Sequence, residues 1–236
     1  MTTLTGDAKA RYVRAMFGRI AQRYDLMNRL MTGFQDQAWR RLAVTAVAAQ
    51  PGGRILDVGT GTGDFLPLLA QATPGGRAVG LDLTFEMMDA GRAKLLETPG
   101  RAAFVQGDAL HLPFADDTFD GLVNGFLLRN VADLRQALAE MRRVVKPGAR
   151  VVILEITPVT VPVWGDLFRL YFGRLVPIIG GLVAGAQDAY TYLPTSVERF
   201  VEADELKRLM TEVGLVNVRY TKLMLSTVAL HIGEKA

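Results

Sequence analysis

The chain has 236 residues, half of them hydrophobic, with a formal net charge of +3, two histidines and no cysteine. That length suits one α/β domain with extensions, and the missing cysteine excludes disulfides, thiolate metal sites and cysteine nucleophiles while fitting a reducing, cytoplasmic compartment. His111 and His231 lie far apart, which speaks against a histidine metal site, and no repeat or low-complexity segment stands out.

Residues 1–41 carry eight Lys/Arg against three Asp, a local net charge of +5 that leaves −2 for the remainder. The first fourteen residues have no apolar core, so no signal peptide is expected. With its methionines and aromatics this basic segment suits a solvated helix face, a surface resting on anionic lipid or one that approaches an anionic ligand.

The first strand is expected at residues 54–58 and runs into Gly59, Gly61 and Gly63, with a helix over 65–72 behind them. Such a strand-to-helix turn lets a ligand press on bare backbone and meet free amides. The second strand, 78–82, ends in Asp82, nineteen residues past Gly63, where an acid holds a ribose diol. A dinucleotide fingerprint would need its third glycine at Asp64, and a carboxylate there repels a pyrophosphate. The compact spacing, with Asp57 and Asp64, suits a cationic ligand without phosphate, S-adenosylmethionine.

A helix is expected over 85–97 and a third strand over 103–106. Asp108 follows, placed to accept the adenine amino group, while the backbone N–H near Ala109 reaches a ring nitrogen; an Asp-initiated turn is the plainer alternative. His111 reads as a loop or packing residue, and Asp116 and Asp117 as an acidic turn. The fourth strand, 121–126, delivers Arg129 and Asn130. They suit a developing phenolate and the orientation of a hydroxyl, or a cap for a helix beginning near Val131.

A helix over 134–145 keeps Leu134, Leu138, Met141 and Val145 on one face until Lys146, Pro147 and Gly148 stop it, and a fifth strand covers 150–156. Glu155, near its end, is a base or a structural acid. Residues 157–200 form an insertion with Trp164, Phe168, Tyr171, Phe172, Tyr190 and Tyr192, aromatics that suit a closing lid or plain packing. Its apolar run, 175–186, would span about 18 Å as a helix, short of the ~30 Å of a bilayer core. Strands at 216–222 and 227–232 are too close for a crossover, so they form an antiparallel hairpin.

A doubly wound, mostly parallel sheet of seven strands with an antiparallel last strand resembles the class I methyltransferases. The resemblance narrows with residues 24–28 (YDLMN), 128–133 (LRNVAD), 137–141 (ALAEM), 143–148 (RVVKPG), Leu154-Glu155 with Pro158, 189–194 (AYTYLP) and 228–231 (VALH). From about Phe17 to Gly233 the chain is similar to the ubiquinone/menaquinone biosynthesis C-methyltransferase family. The resemblance implies one methyltransferase domain over 1–236, with a helical lid at 1–50 and a substrate-side insertion at 157–200. It implies methylation of a polyprenylated quinol ring, with demethylmenaquinol foremost, S-adenosylmethionine as donor, S-adenosylhomocysteine as product and no metal. The benzoquinol of ubiquinone synthesis, a related prenylated aromatic and a non-catalytic S-adenosylmethionine-binding role are the alternatives.

The cofactor-binding set expected from motif and resemblance together is Tyr24, Asp57, Gly59, Thr60, Gly61, Thr62, Asp82, Leu83, Asp108, Ala109, Asn124 and Gly125. The catalytic set is Arg129, Asn130 and Tyr24. No nucleic-acid partner is expected; peripheral contact with the inner membrane face and self-association are compatible with the reading. Five positions depart from the family pattern and leave the substrate open. Asp36 and Gln37 replace a His-Arg pair, Leu127 and Ser226 each replace a glycine, and Gly125 stands where a serine is usual.

Overall fold

A computed structural model describes residues 6–159, 165, 170–176, 178 and 187–236. Its centre is a seven-stranded sheet in the order β3-β2-β1-β4-β5-β7-β6. The strands are β1 (Arg54–Val58), β2 (Arg77–Asp82), β3 (Ala102–Gln106), β4 (Phe119–Gly125), β5 (Val145–Ile156), β6 (Leu215–Leu223) and β7 (Val228–Lys235). β7 pairs antiparallel with both β5 and β6, whereas the pairs among β1 to β5 are parallel. Parallel strands are covered on both faces and read as continuous apolar runs; Val151 to Leu154 of β5 are all fully buried.

The helices are α1 (Gly6–Ile20), α2 (Tyr24–Thr32), α3 (Asp36–Val47), α4 (Phe65–Ala72), α5 (Phe85–Ala90), α6 (Leu134–Val144), α7 (Gln187–Glu198) and α8 (Ala203–Glu212). One face of the sheet packs on α6 and α8 through Leu138, Met141, Leu206 and Met210; the other packs on α3 and α4 through Ala43, Val47, Leu66 and Leu69. A third cluster, Met16, Ile20, Met27 and Val176, joins α1 and α2 to the insertion. This apolar patch, with the pair Tyr12 and Tyr192 (ring centroids 5.7 Å apart), holds the N-terminal helices above the C-terminal ends of the strands.

Three expectations are corrected. The helix expected over 85–97 stops at Ala90 and resumes as a 3-10 turn, Arg92–Glu97. A Cβ at Gly91 would lie 1.9 Å from the Thr62 carbonyl oxygen, so the chain is pinned there against the glycine loop. The helix expected near Val131 begins at Leu134, capped by Asp133, whose carboxylate accepts from the Gln136 N–H at 3.0 Å. At its far end Val145 belongs to β5, paired with Phe119. The run 175–186 lies outside the described residues except for 175, 176 and 178, as do Trp164 and Phe168.

Candidate functional site

The end of β1 turns through Gly59, Gly61 and Gly63 at φ of 72°, 56° and 80°, a region that side chains with a Cβ avoid. The Gly59 and Thr60 N–H groups both donate to the Leu81 carbonyl, at 2.8 and 2.9 Å, tying the loop to β2. Asp82 then accepts from the N–H of Gly61 and of Thr84, each at 2.8 Å, so its carboxylate is fixed at the strand end. Burial pushes its pKa up, and these N–H bonds offset part of the rise. Across the cleft Asp108 accepts from the Leu110 N–H at 2.9 Å, the turn geometry expected of Asp.

Between the two carboxylates lies a cleft of about 100 Å³, lined by Gly59, Gly61, Leu83, Met87, Ala109, Leu110, Gly125 and Leu127 and roofed by Val13, Arg14, Phe17 and Tyr24. Beside it lies a cavity of about 510 Å³, lined by Asn28, Met31, Trp39, Ile156, Tyr171, Leu193, Met224 and Val228. Tyr24 and Phe126 line both spaces. Phe126 has a φ of 62°, an uncommon conformation for an aromatic residue and one that marks functional positions.

The strained Phe126 peptide is held from behind. Arg129 Nη1 donates to the Phe126 carbonyl and to Glu155 Oε1, both at 2.6 Å, and Asn130 Nδ2 reaches the same carbonyl at 3.4 Å. Glu155 therefore acts as a structural acid, neutralising a nearly buried guanidinium. Arg129 Nε and Asn130 Oδ1 are buried without hydrogen-bond partners among the described residues. Arg129 lines the cavity, and Asn130 lines the cleft.

Of the expected cofactor residues, Tyr24, Gly59, Gly61, Asp82, Leu83, Asp108, Ala109 and Gly125 line the cleft, whereas Asp57, Thr60, Thr62 and Asn124 stand behind it. Asp57 is fully buried, and burial pushes its carboxyl up to about 7, against a 2.6 Å hydrogen bond from the Thr60 hydroxyl. Asn124 Nδ2 donates to the Val58 carbonyl at 2.6 Å and locks β4 to β1. The Thr62 hydroxyl donates to Asp25 at 2.6 Å and accepts from Lys94 at 2.9 Å. Asp64 is already paired with Lys94 and Arg40; although burial pushes its pKa up, these cations outweigh it and hold the carboxyl low. Asp64 therefore brings no free charge to a cationic ligand.

Two clamps had no signal in the sequence. Lys94 Nζ also bonds Asp25 at 2.7 Å, fixing the start of α2, and so Tyr24, beneath the glycine loop. Lys9 of α1 donates to the carbonyls of Arg129 and Val131, at 3.1 and 2.7 Å. Each joins residues far apart in the chain, where neither charge spacing nor periodicity can register the pair.

The family departures find physical settings. Asp36 is buried, accepts from the Thr32 hydroxyl at 3.2 Å and faces Arg40 Nε at 3.8 Å. A Cβ at Gly125 would lie 2.7 Å from the Phe65 ring, which fills the room a serine needs. Leu127 packs on Gly59, and Ser226 sits at a φ of 71°, which explains a preference for glycine there.

A family model described as the ubiE/COQ5 methyltransferase family matches residues 5–235. The demethylmenaquinone methyltransferase of Roseiflexus castenholzii is 46% identical over 229 residues, 97% of this chain and 95% of its own. That of Thermus thermophilus is 42% identical over 93% of this chain and all of its own. The ubiquinone/menaquinone biosynthesis C-methyltransferase of a Geobacter species is 42% identical over 96% of this chain and 97% of its own. Among solved structures, a SAM-dependent methyltransferase of Thermotoga maritima superposes with a TM-score of 0.66 at 19% identity, over 94% of this chain and 99% of its own. At that identity the likeness speaks to the fold alone.

Proposed function

Since the chain belongs to the ubiE/COQ5 methyltransferase family, S-adenosylmethionine-dependent enzymes of quinone biosynthesis, we propose that it methylates a ring carbon of demethylmenaquinol, giving menaquinol and S-adenosylhomocysteine. One observation supports this most. The turn that borders both spaces carries a buried unpartnered donor, Arg129 Nε, next to a buried unpartnered acceptor, Asn130 Oδ1. A phenolic hydroxyl offers one acceptor and one donor in return, and the adjoining apolar cavity suits a prenyl chain.

The cleft fits an adenosine-type ligand, with a carboxylate at each side, apolar Leu83, Met87 and Leu110 between and bare backbone at Gly61. When bound, S-adenosylmethionine supplies an electrophilic methyl group. Asp82 holds the ribose diol and Asp108 the adenine amino group, each through carboxylate lone pairs their present bonds leave free. Asp57, Thr60, Thr62 and Asn124 shape the loop from behind rather than touch the ligand. Arg129 and Asn130 position the quinol oxygen as its proton passes to water, making the ortho carbon nucleophilic; once that carbon is methylated its ring proton shifts to the oxygen and restores the aromatic quinol, and alignment supplies most of the acceleration. Burial pushes the Tyr24 phenol up, so Tyr24 stays protonated and covers the reacting atoms.

We read the chain as one domain in which α1 and the start of α2 cover the cleft. Its quinol comes from the cytoplasmic membrane surface. The test is a methyl-transfer assay on purified protein with short-chain demethylmenaquinol and, in a parallel arm, the benzoquinol precursor of ubiquinone. The second arm is warranted by the Geobacter relative, whose name covers both quinones. Turnover of neither, with S-adenosylmethionine bound, would reassign the chain to a non-catalytic role. EDTA is expected to leave the rate unchanged.

A further inference from the structure

Two loops beside the apolar cavity each expose a large apolar side chain from a backbone that disfavours it. Phe34 follows α2 at a φ of 64° and is 62% exposed; Leu225 sits in the β6–β7 turn at a φ of 51° and is 67% exposed. A left-handed turn is made more cheaply by Gly or Asn, and neither side chain joins a core cluster among the described residues. Folding therefore gives no reason for either choice.

Both positions flank the same space. Gly33 and Gln35, on either side of Phe34, line the cavity, and so do Met224 and Thr227 around Leu225. Leu26 and Leu30 continue the exposed apolar line back along α2, one turn apart, and Leu30 itself lines the cavity. Exposed Lys222 stands three residues before Leu225, and Arg29 on α2, with exposed Arg23 just before that helix and exposed Arg41 on α3, supplies cations to this part of the chain.

We propose that Phe34 and Leu225, with Leu26 and Leu30, form a docking rim that seats the cavity on an anionic lipid bilayer. Apolar side chains inserted at the interface plus a basic surround are the two signals that reversible lipid binding needs. Seated in this way, the cavity receives a prenylated quinol from the acyl layer without exposing its chain to water. The occupant rests on the quinol reading above; the rim itself does not.

The test uses the full chain without substrate, sedimented with phosphatidylcholine vesicles that contain or lack phosphatidylglycerol, at low and high salt. Wild type should bind the anionic vesicles, less at high salt as screening shortens the reach of the charges. The variant F34N/L225N keeps both turns, because Asn accepts left-handed φ. It should bind about tenfold or more weakly, having lost two inserted side chains. It should methylate a short-chain, water-dispersed quinol at the wild-type rate and a long-chain quinol held in vesicles more slowly. Equal vesicle binding by variant and wild type, or none by wild type, overturns the proposal. So does a concentration-dependent dimer that the variant abolishes, which would assign the rim to a second copy. Lipid binding with no quinol turnover would instead sink the substrate reading and leave the rim standing.

Discussion

The cleft and the cavity share Tyr24 and Phe126 but are held together by different physics. The cleft is made mainly of backbone: positive-φ glycines, amides bonded to Asp82, and carboxylates fixed at strand ends. The cavity is made mainly of side chains from helices, the insertion and the last hairpin, in apolar contact. A backbone site tolerates little, since moving one peptide moves its neighbours. A side-chain cavity can exchange one apolar group for another at modest cost. Cofactor recognition should therefore fail sharply under single substitutions, whereas substrate preference should drift.

The largest effect should come at the partition. Glu155→Ala leaves Arg129 buried without its counter-charge and should cost about 3–5 kcal/mol of stability, read by urea denaturation. Arg129→Met combined with Glu155→Met should recover much of that loss. A double variant as unstable as Glu155→Ala would mean the two side chains do not act as a pair.

Two buried groups give opposite pH slopes, one at the cleft and one remote from it. Asp57 is raised to about 7, so its contribution is present below pH ~4 and is lost as pH climbs through 7, about 4 kcal/mol in all. His231 on β7, bonded to the Ala203 carbonyl at 2.8 Å, is lowered by burial to about 4. Its neutral form is favoured in the fold, so stability is lost as pH falls from ~6.5 to ~4, by about 3 kcal/mol. Relative to wild type, Asp57→Asn should gain stability as pH rises between 4 and 7, and His231→Gln should gain as pH falls over the same window. Parallel stability curves for the three proteins would show that neither group titrates as its surroundings dictate.

Asp82→Ala tests the backbone character of the cleft. Charge-assisted bonds to a ribose diol are worth about 1.5–3 kcal/mol, so calorimetric titration should show a matching loss of S-adenosylmethionine affinity. Lipid docking should be untouched. The smallest effect should follow Lys94→Met, which loosens α2 beneath the loop. It should raise the KM for S-adenosylmethionine by about fivefold, the order of one partly exposed ion pair, with recovery in Lys94→Arg. An unchanged KM would leave Lys94 a stabilising residue only.

The cleft was legible because its parts are local. Three glycines, a strand and an acid nineteen residues on are all short-range patterns, and so is the strand order's antiparallel end, since the last gap admits no crossover. The broken helix at Gly91 was not legible, because its cause is the carbonyl of Thr62 on another element. Arg129 and Asn130 show a subtler limit. The helix-cap reading placed both at a helix beginning near Val131, whereas Arg129 pairs with Glu155, 26 residues on, and both side chains reach the strained peptide at Phe126. Of the cavity walls only the insertion was legible, through Tyr171 and the motif that holds Leu193, whereas Met31 and Met224 look like ordinary core residues until the chain is folded.

Lys9 ties the cofactor roof to the turn that carries Arg129 and Asn130, and burial pulls its pKa down, so its attachment is to carbonyl dipoles rather than to a counter-ion. The cleft beneath that roof holds about 100 Å³, less than the roughly 300–1,000 Å³ of a ligand pocket, so passage of a nucleoside is expected to require that α1 lift. Because one ammonium grips both parts, lifting the roof is expected to slacken the turn that carries Arg129 and Asn130 as well. Exchange of the nucleoside and reaction are then expected to alternate. Turnover is expected to keep time with the helix rather than with the bond being made, showing as a burst of methylated quinol in the first cycle and a strong dependence of the steady rate on solvent viscosity.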